Sequence, residues 1–452
     1  MNHTPTAAFA TFGCKVNQYE TQRILDTFED RGFQITEITA PADVYVINTC
    51  SVTRTAENKS RRMIHRLAKQ NPNAVLVMTG CYGEMLNLRN ETLEEATMVV
   101  PNQQKMETLN HLLRAYPHLA PTDEQAALRK NNTSRARRTR ATIKIQDGCD
   151  VYCSYCSIPY TRSVMASRPA EEILNEVHGL AGEGYREIVI TGVLVGSYGA
   201  STGSGGPNLA GLLRQLTLVE GVERIRLSSI EPTQVNDELL VAFSEEPKLC
   251  NHLHIPLQSG DSGILKSMNR PYTRDDYLRL CEKLHKRLPG LAITTDILVG
   301  FPGEDRFAFR NTLALAREAG FARAHIFRYS PRPGTPATEM QPQVSEEEKD
   351  SRSHELAQVC RETQQIYIER YIGQTLGVLV ESREREDGLL SGYTENYIRA
   401  SFIGGAHLVG RVVPVRILEF TTDGAVGEAR DSYQPEADII PLTLARGAVQ
   451  ES

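Results

Sequence analysis

From residue 141 onward the sequence falls into a beat of short β-branched runs separated by helical patterns, and this beat limits the possible folds more than any other feature. The predicted strands are 141–146 (ATIKIQ), 187–192 (EIVITG), 224–230 (RIRLSSI), 252–257 (HLHIPL), 292–300 (AITTDILVG) and 323–330 (RAHIFRYS). Helical patterns lie between them, for example at 169–184 and 274–288. Strands that alternate with helices build a mostly parallel sheet. Six such units are too few to close an eight-stranded barrel. The expectation is therefore a partial, open TIM-like (βα)6 barrel, completed by a long polar helix at 345–371.

The first hundred residues alternate on a shorter beat. Strands are expected at 7–12, 43–48, 74–79 and 97–100, with helices at 17–32 and 55–70. This reads as a small open α/β domain over residues 5–117. A polar stretch without clear periodicity, about 117–140, links it to the partial barrel, which is assigned to 135–368. The last part changes character. Short β-patterned runs (TLGVLVESRE, LLSGYTENYIRASFIG, LVGRVVPVRILEFTTDG) are separated by glycines over 371–442. Their extent, about 70 residues, suits a small OB-like β-barrel.

Composition narrows the setting. Of 452 residues 40% are hydrophobic and 23% charged, as in ordinary soluble proteins. No apolar run is long enough to span a membrane, and the start, MNHTPTAAFATFGC, lacks the pattern of a secretory signal. A cytoplasmic location is expected, where nine cysteines serve as metal ligands or free thiols rather than disulfides.

Two sets of cysteines stand out. Cys149, Cys153 and Cys156 are spaced C-x3-C-x2-C just after the first strand of the partial barrel. Three thiolates so close together bind a soft metal. Zinc normally closes its tetrahedron with four protein ligands, and no second arm or nearby histidine completes one here. A 4Fe-4S cluster held by three cysteines keeps one iron open for a substrate or cofactor; zinc and unligated thiols are the alternatives. The second set is scattered. Cys14, Cys50 and Cys81 each follow the carboxyl end of a predicted parallel strand. Those ends line one edge of an open α/β sheet, where ligands bind, so the three converge and are read as the ligands of a second cluster. The alternative is three buried core cysteines. Cys250, Cys281 and Cys360 share no spacing and are assigned to packing.

The C-x3-C-x2-C loop of an incomplete barrel, with Tyr155 just before its third cysteine, resembles the radical S-adenosylmethionine enzymes. Adding Cys14, Cys50 and Cys81 and the small β-barrel narrows the resemblance to the methylthiotransferases, which carry an N-terminal auxiliary-cluster domain, a radical core and a C-terminal TRAM barrel. HLHIPLQSG (252–260), TDILVGFPGE (295–304) and YSPRPGTPA (329–337) are similar to that family's core motifs. The resemblance covers about residues 5–442. It implies two 4Fe-4S clusters, with S-adenosylmethionine filling the open iron of the core cluster. One S-adenosylmethionine then serves as methyl donor and a second is cleaved to a radical, so that C–H becomes C–S–CH3. It also implies cofactor contacts at Tyr155 and at Gly192 in ITGVLVGSYG (which lacks the family's common Gly-Gly-Glu); Gln258, at the end of HIPLQ and by position toward the barrel mouth, is a further candidate. An electron donor of flavodoxin or ferredoxin type is implied, and the protein is expected to be a monomer. No acid–base or nucleophilic residue set is found; carbon 2 of adenine offers neither an acidic proton nor a leaving group, so such a set has little to act on.

Members of the family divide by acceptor. GCKVNQYET (13–21) and GYTENY (392–397) resemble the branch acting on N6-threonylcarbamoyladenosine at tRNA position 37. The alternatives are isopentenyladenosine in tRNA, an aspartate of a ribosomal protein, and, in another class, an RNA-binding iron–sulfur sensor without turnover. Charge fits RNA. Lys59, Arg62, Arg66 and Lys69 form one stripe on the helix at 55–70, and Arg129, Lys130, Arg135, Arg137, Arg138, Arg140 and Lys144 crowd a stretch without acidic residues. Such clusters neutralise phosphates, although a charged run is also an ordinary solvated face. Small β-barrels often hold RNA.

Overall fold

In this computed structural model the described residues are 4–51, 54–122, 139–200, 206–384 and 389–430. They form two compact units. One holds 4–51, 54–122, Gly148–Tyr152 and Cys156–Met165; the other holds 139–147, Cys153–Tyr155, 166–200, 206–384 and 389–430. The boundary is thus not linear in sequence, because two short returns of the chain group with the first unit.

The first unit is built on five strands: β1 (Thr6–Thr11), β2 (Gln34–Thr36), β3 (Val44–Thr49), β4 (Val75–Gly80) and β5 (Met98–Val99). They lie in the order β2-β1-β3-β4-β5, all parallel. Strands β3 (VYVINT) and β4 (VLVMTG) are buried along their whole length, as central strands of a sheet covered on both faces must be. Alternation divides their side chains. Val44 and Val46 join Ile24 and Phe28 of helix α1 (Lys15–Arg31) in one core. Tyr45 and Ile47 join Ile64 and Leu67 of helix α2 (Arg54–Gln70) in the other. Helix α1 ends at Gly32, whose φ of 104° is the left-handed cap that glycine adopts at least cost. Helix α3 (Cys81–Leu88) leaves β4 directly.

In the second unit six parallel strands form the expected incomplete barrel: β6 (Arg140–Asp147), then, after the two-residue β7 (Ala166–Ser167), β8 (Glu187–Gly192), β9 (Arg224–Leu227), β10 (His252–His254), β11 (Ala292–Val299) and β12 (Arg323–Arg328). They form a sheet β7-β6-β8-β9 and a sheet β10-β11-β12, joined by single parallel bridges such as Ser229 to His254. Only β7 runs antiparallel; it is too short to leave a pattern in the sequence. The helix Glu346–Glu369 follows, and then a closed barrel β13-β14-β15-β17-β16 formed by β13 (Thr375–Glu384), β14 (Leu389–Thr394), β15 (Arg399–Ile403), β16 (Val412–Thr421) and β17 (Gly424–Ala429). No described helix is long and apolar enough to cross a membrane.

The small barrel is fixed to the amino-terminal ends of the large barrel's strands. Arg224, the first residue of β9, donates to the carbonyls of Gly377 (2.5 Å) and Tyr393 (3.2 Å). Arg226 donates to the carbonyls of Thr394 (3.0 Å) and Glu395 (2.9 Å) and to Glu187 at 2.7 Å. His252, which opens β10, stacks on Tyr397 at 4.3 Å. Burial opposes ionisation of Glu187, but Arg226, Arg140 and Arg224 together hold its carboxyl below the ordinary range. The stabilisation from this ionised pair is complete above the unfolded glutamate value of about 4.3 and is lost as pH falls through the lower folded value. Glu187→Gln leaves Arg226 buried without its counter-charge and is expected to destabilise the unit by about 3–5 kcal/mol. Urea unfolding checks this; an unchanged midpoint would contradict it.

Candidate functional site

In the first unit the topology brings the three scattered cysteines to one edge. Strands β1, β3 and β4 are adjacent and parallel, and their carboxyl ends lead to Cys14, Cys50 and Cys81. Neighbouring strands lie about 4.8 Å apart, which sets the spacing of the three loops. Cys14 caps α1 and Cys81 opens α3, and a helix amino terminus favours an anionic ligand such as thiolate. Each of these two cysteines follows a glycine at positive φ, Gly13 at 101° and Gly80 at 94°. A Cβ on Gly13 would lie 2.6 Å from the Cys50 sulfur, and one on Gly80 would lie 2.4 Å from the Thr49 carbonyl oxygen. Only glycine lets these loops close so tightly. Cys50 and Cys81 are buried, whereas Cys14 keeps an exposed edge. The dense protein around Cys14, and next the neighbouring Cys81 thiol, raise the Cys14 thiol pKa; a bound cation would reverse this by taking thiolates as ligands.

Among the described residues no three His, Cys, Asp or Glu side chains converge tightly enough to enclose a single metal ion. A cluster ligates its cysteines through separate irons, so three thiols on neighbouring loops need not close on one metal ion to hold it. The donor set and the glycine-tight loops fit a 4Fe-4S cluster at Cys14, Cys50 and Cys81.

Beneath these loops lies a buried polar group. Asn17 Nδ2 donates to the carbonyls of Phe12 (2.9 Å) and Thr49 (3.0 Å). Glu20 is fully buried on α1, and Lys105 and Arg162, also buried, bind it at 2.6 Å and 2.7 Å. Burial lowers the pKa of the Lys105 ammonium, opposed by Glu20. The sequence carries one signal for this group. Glu20 falls on the stripe Val16, Ile24, Phe28 that α1 buries, and a carboxylate there requires a cation. Which cation answers it is a matter of tertiary structure.

At the loop after β6, Gly148 again precedes a cysteine with positive φ, 83°. A Cβ there would lie 2.2 Å from the Val164 carbonyl oxygen. The Ile158 N–H donates to the Cys156 sulfur at 3.4 Å. Arg270 Nη1 donates to the Cys153 sulfur at 3.1 Å, while the same guanidinium pairs with Glu231. Hydrogen bonds to thiolate sulfur are a protein's means of setting a cluster's potential. Neither Arg270 nor Glu231 was singled out in the sequence, since each is one charge in a mixed run. Gln258 has a φ of 67°, a conformation a non-glycine residue holds only when its surroundings impose it. Its N–H bonds to the Asp296 carbonyl and its own carbonyl accepts from the Leu298 N–H. Tyr155 packs its ring on Phe301. Gly192 lies 3.1–3.2 Å, at its missing Cβ, from Gln146, so it has a packing reason of its own. Cys250, Cys281 and Cys360 are buried, and burial pushes the thiols of Cys250 and Cys360 up to about 12, which suits packing.

The candidate RNA contacts divide. Lys59, Arg62, Arg66 and Lys69 are all exposed on α2, while Ile64 and Leu67 face the sheet. Arg140 is not a free cation: it pairs with Glu381 at 2.5 Å and Glu187 at 3.7 Å and lies over the Tyr393 ring. It is the first residue of a barrel strand, and its charge is spent at the barrel floor. Lys144 pairs with Asp147. Arg129, Lys130, Arg135, Arg137 and Arg138 lie outside the described residues.

Comparison with known families agrees with this layout. Residues 6–101 match the uncharacterized protein family UPF0004, 143–316 the radical SAM superfamily, and 369–429 the TRAM domain. The radical S-adenosylmethionine methyltransferase TsrM from Kitasatospora setae has a similar fold, with a TM-score of 0.52 at 14% identity over 74% of this chain and 77% of that one. Fold and cysteine loop thus define the class, a radical S-adenosylmethionine enzyme bearing a TRAM domain. Threonylcarbamoyladenosine tRNA methylthiotransferase of Bacillus subtilis is 39% identical over 92% of this chain and 94% of its own length. The Thermotoga maritima protein of the same name is 38% identical over 95% and 98%. The tRNA-2-methylthio-N(6)-dimethylallyladenosine synthase of Clostridium perfringens is 33% identical over 93% and 96%. The chain belongs to the tRNA methylthiotransferase family of radical S-adenosylmethionine enzymes.

Proposed function

We propose that this protein places a methylthio group on carbon 2 of N6-threonylcarbamoyladenosine at tRNA position 37, using two 4Fe-4S clusters and two molecules of S-adenosylmethionine. The observation that carries the reading is the convergence of Cys14, Cys50 and Cys81 on the loops after β1, β3 and β4, in a chain that also has the C-x3-C-x2-C loop. When bound, the clusters supply the electron that cleaves S-adenosylmethionine and the coordination of the transferred sulfur. The chain's own residues bind and orient. Cys149, Cys153 and Cys156 hold one cluster, with Arg270 donating to the Cys153 sulfur. Tyr155, Gly192 and Gln258 face the cofactor. The cationic stripe of α2 and the TRAM barrel hold tRNA. In this reading residues 5–117, 135–368 and 371–442 serve as auxiliary-cluster, radical and RNA-binding domains of a cytoplasmic monomer, reduced by a flavodoxin- or ferredoxin-like donor.

The choice of acceptor rests on GCKVNQYET and on relatives at 39% and 38% identity that carry the threonylcarbamoyl name. The threonylcarbamoyl group ends in a carboxylate, and the isopentenyl group is apolar. A pocket that satisfies the carboxylate with a cation or backbone donors leaves those donors unpaired with the isopentenyl analogue. Discrimination of about 10⁴-fold or more follows. The test offers reconstituted enzyme two tRNAs, one with each modification, under single-turnover conditions. Transfer only to the threonylcarbamoyl tRNA is expected. Transfer only to the isopentenyl tRNA, or only to a ribosomal protein, would move the chain to another branch. Absence of S-adenosylmethionine cleavage altogether would point to a sensor.

A further inference from the structure

A continuous polar seam within the first unit links the loops of the two cysteine sets. Ser51 follows Cys50 and Ser157 follows Cys156; their hydroxyls hydrogen-bond at 3.1 Å, and both residues are buried. Beyond them, Asn102 Nδ2 donates to the Thr161 carbonyl at 2.8 Å. Arg162 then grips α1: Nη1 donates to Glu20 Oε1 at 2.9 Å, and Nη2 donates to Glu20 Oε2 at 2.7 Å and to Asn17 Oδ1 at 2.9 Å. The Arg162 carbonyl accepts from the Cys149 N–H at 3.2 Å. Asn17 in turn holds the Thr49 carbonyl, one residue before Cys50, and α1 begins at Cys14. An unbroken run of hydrogen bonds therefore passes from the backbone of Cys149 through Arg162 and Asn17 to the loop of Cys50.

Packing alone does not call for such a run. A buried ion pair is often no more stabilising than apolar side chains of the same volume. What it adds is orientation, because a guanidinium held by both oxygens of one carboxylate has little freedom to turn. A satisfied buried network also favours one arrangement over its neighbours. Group transfer between two sites is sensitive to that arrangement; a displacement of about 1 Å can cost a hundredfold in rate.

We infer that this seam, with Arg162 at its centre and the Ser51–Ser157 pair beside it, sets the distance and orientation between the loops of Cys14, Cys50 and Cys81 and the loop segments that carry Cys149 and Cys156. Arg162, Ser51 and Ser157 are thus positioning residues for sulfur transfer. The inference rests on the methylthiotransferase reading above.

The test compares reconstituted full-length wild type with Arg162→Gln, Arg162→Lys and Ser157→Ala. Three quantities are measured: iron and sulfide content, the magnetic interaction between the two reduced clusters by electron paramagnetic resonance, and the ratio of 5′-deoxyadenosine to methylthiolated tRNA. Arg162→Gln is expected to keep its iron, to change the interaction, and to raise the ratio about tenfold or more. Arg162→Lys should recover part of both losses, and Ser157→Ala should show a smaller change in the same direction. An unaltered interaction and ratio in iron-replete Arg162→Gln would overturn the inference, as would product loss that only follows iron loss. If Arg162→Gln does not fold, Ser157→Ala decides by the same two readouts. If wild type makes no methylthiolated tRNA, the function reading fails, and the magnetic interaction alone still upholds or overturns the seam.

Discussion

Cys153→Ala is expected to reduce 5′-deoxyadenosine formation to background. Cys153 is the middle cysteine of the C-x3-C-x2-C loop, a ligand of the core cluster in the proposed function, and its sulfur receives the Arg270 hydrogen bond. Its neighbour Ser154 is anchored on both sides, its N–H on the Met268 carbonyl and its hydroxyl on the Ser267 carbonyl. Removing the sulfur therefore leaves a rigid loop that cannot rearrange to supply another ligand. With two thiolates left, a cluster on this loop would be incomplete and could neither anchor nor reduce the cofactor. Anaerobic turnover with a chemical reductant, read by chromatography of the nucleoside, measures the loss. Cys281→Ala is the control: its thiol lies in the apolar core, so iron content and cleavage should persist. Near-normal cleavage by Cys153→Ala would remove this loop from the active site.

Removing the other set should separate two activities that Cys153→Ala abolishes together. The Cys14/Cys50/Cys81 triple alanine variant is expected to keep half of the roughly eight irons that two such clusters contain. It should still form 5′-deoxyadenosine while transferring no methylthio group. Retention of all the iron would show that the auxiliary site is misassigned. Equal loss of cleavage in this variant and in Cys153→Ala would contradict separate roles.

Much of this arrangement was legible in the sequence, for definite reasons. Strands β3 and β4 open on the apolar runs VYVI and VLVM, and β6, β8 and β11 carry β-branched patterns; their predicted limits lie within a residue or so of those observed. The convergence of Cys14, Cys50 and Cys81 followed from parallel order alone. Strand β2, with three residues, and β7, with two, are too short for any period to register. Contacts made by single charges were out of reach as well. Arg140 reads as part of a basic cluster, yet its partners Glu187 and Glu381 are far away in sequence. GYTENY stands out as a motif of the small barrel, and the structure gives it a mechanical role. The carbonyls of Tyr393, Thr394 and Glu395 accept from Arg224 and Arg226, and Tyr397 stacks on His252. This contact lies at the amino-terminal ends of the strands, whereas the cysteine loop follows the carboxyl end of β6. Eight strand residues span about 26 Å, so GYTENY sits at the far end of β6 from the cysteine loop, where it anchors the small barrel.

The most direct test of the account is mass spectrometry of tRNA nucleosides from cells with and without this protein. 2-Methylthio-N6-threonylcarbamoyladenosine is expected only when the protein is present, and N6-threonylcarbamoyladenosine is expected to accumulate in its absence. An unchanged level of that methylthio nucleoside, or loss of the isopentenyl derivative in its place, would contradict it.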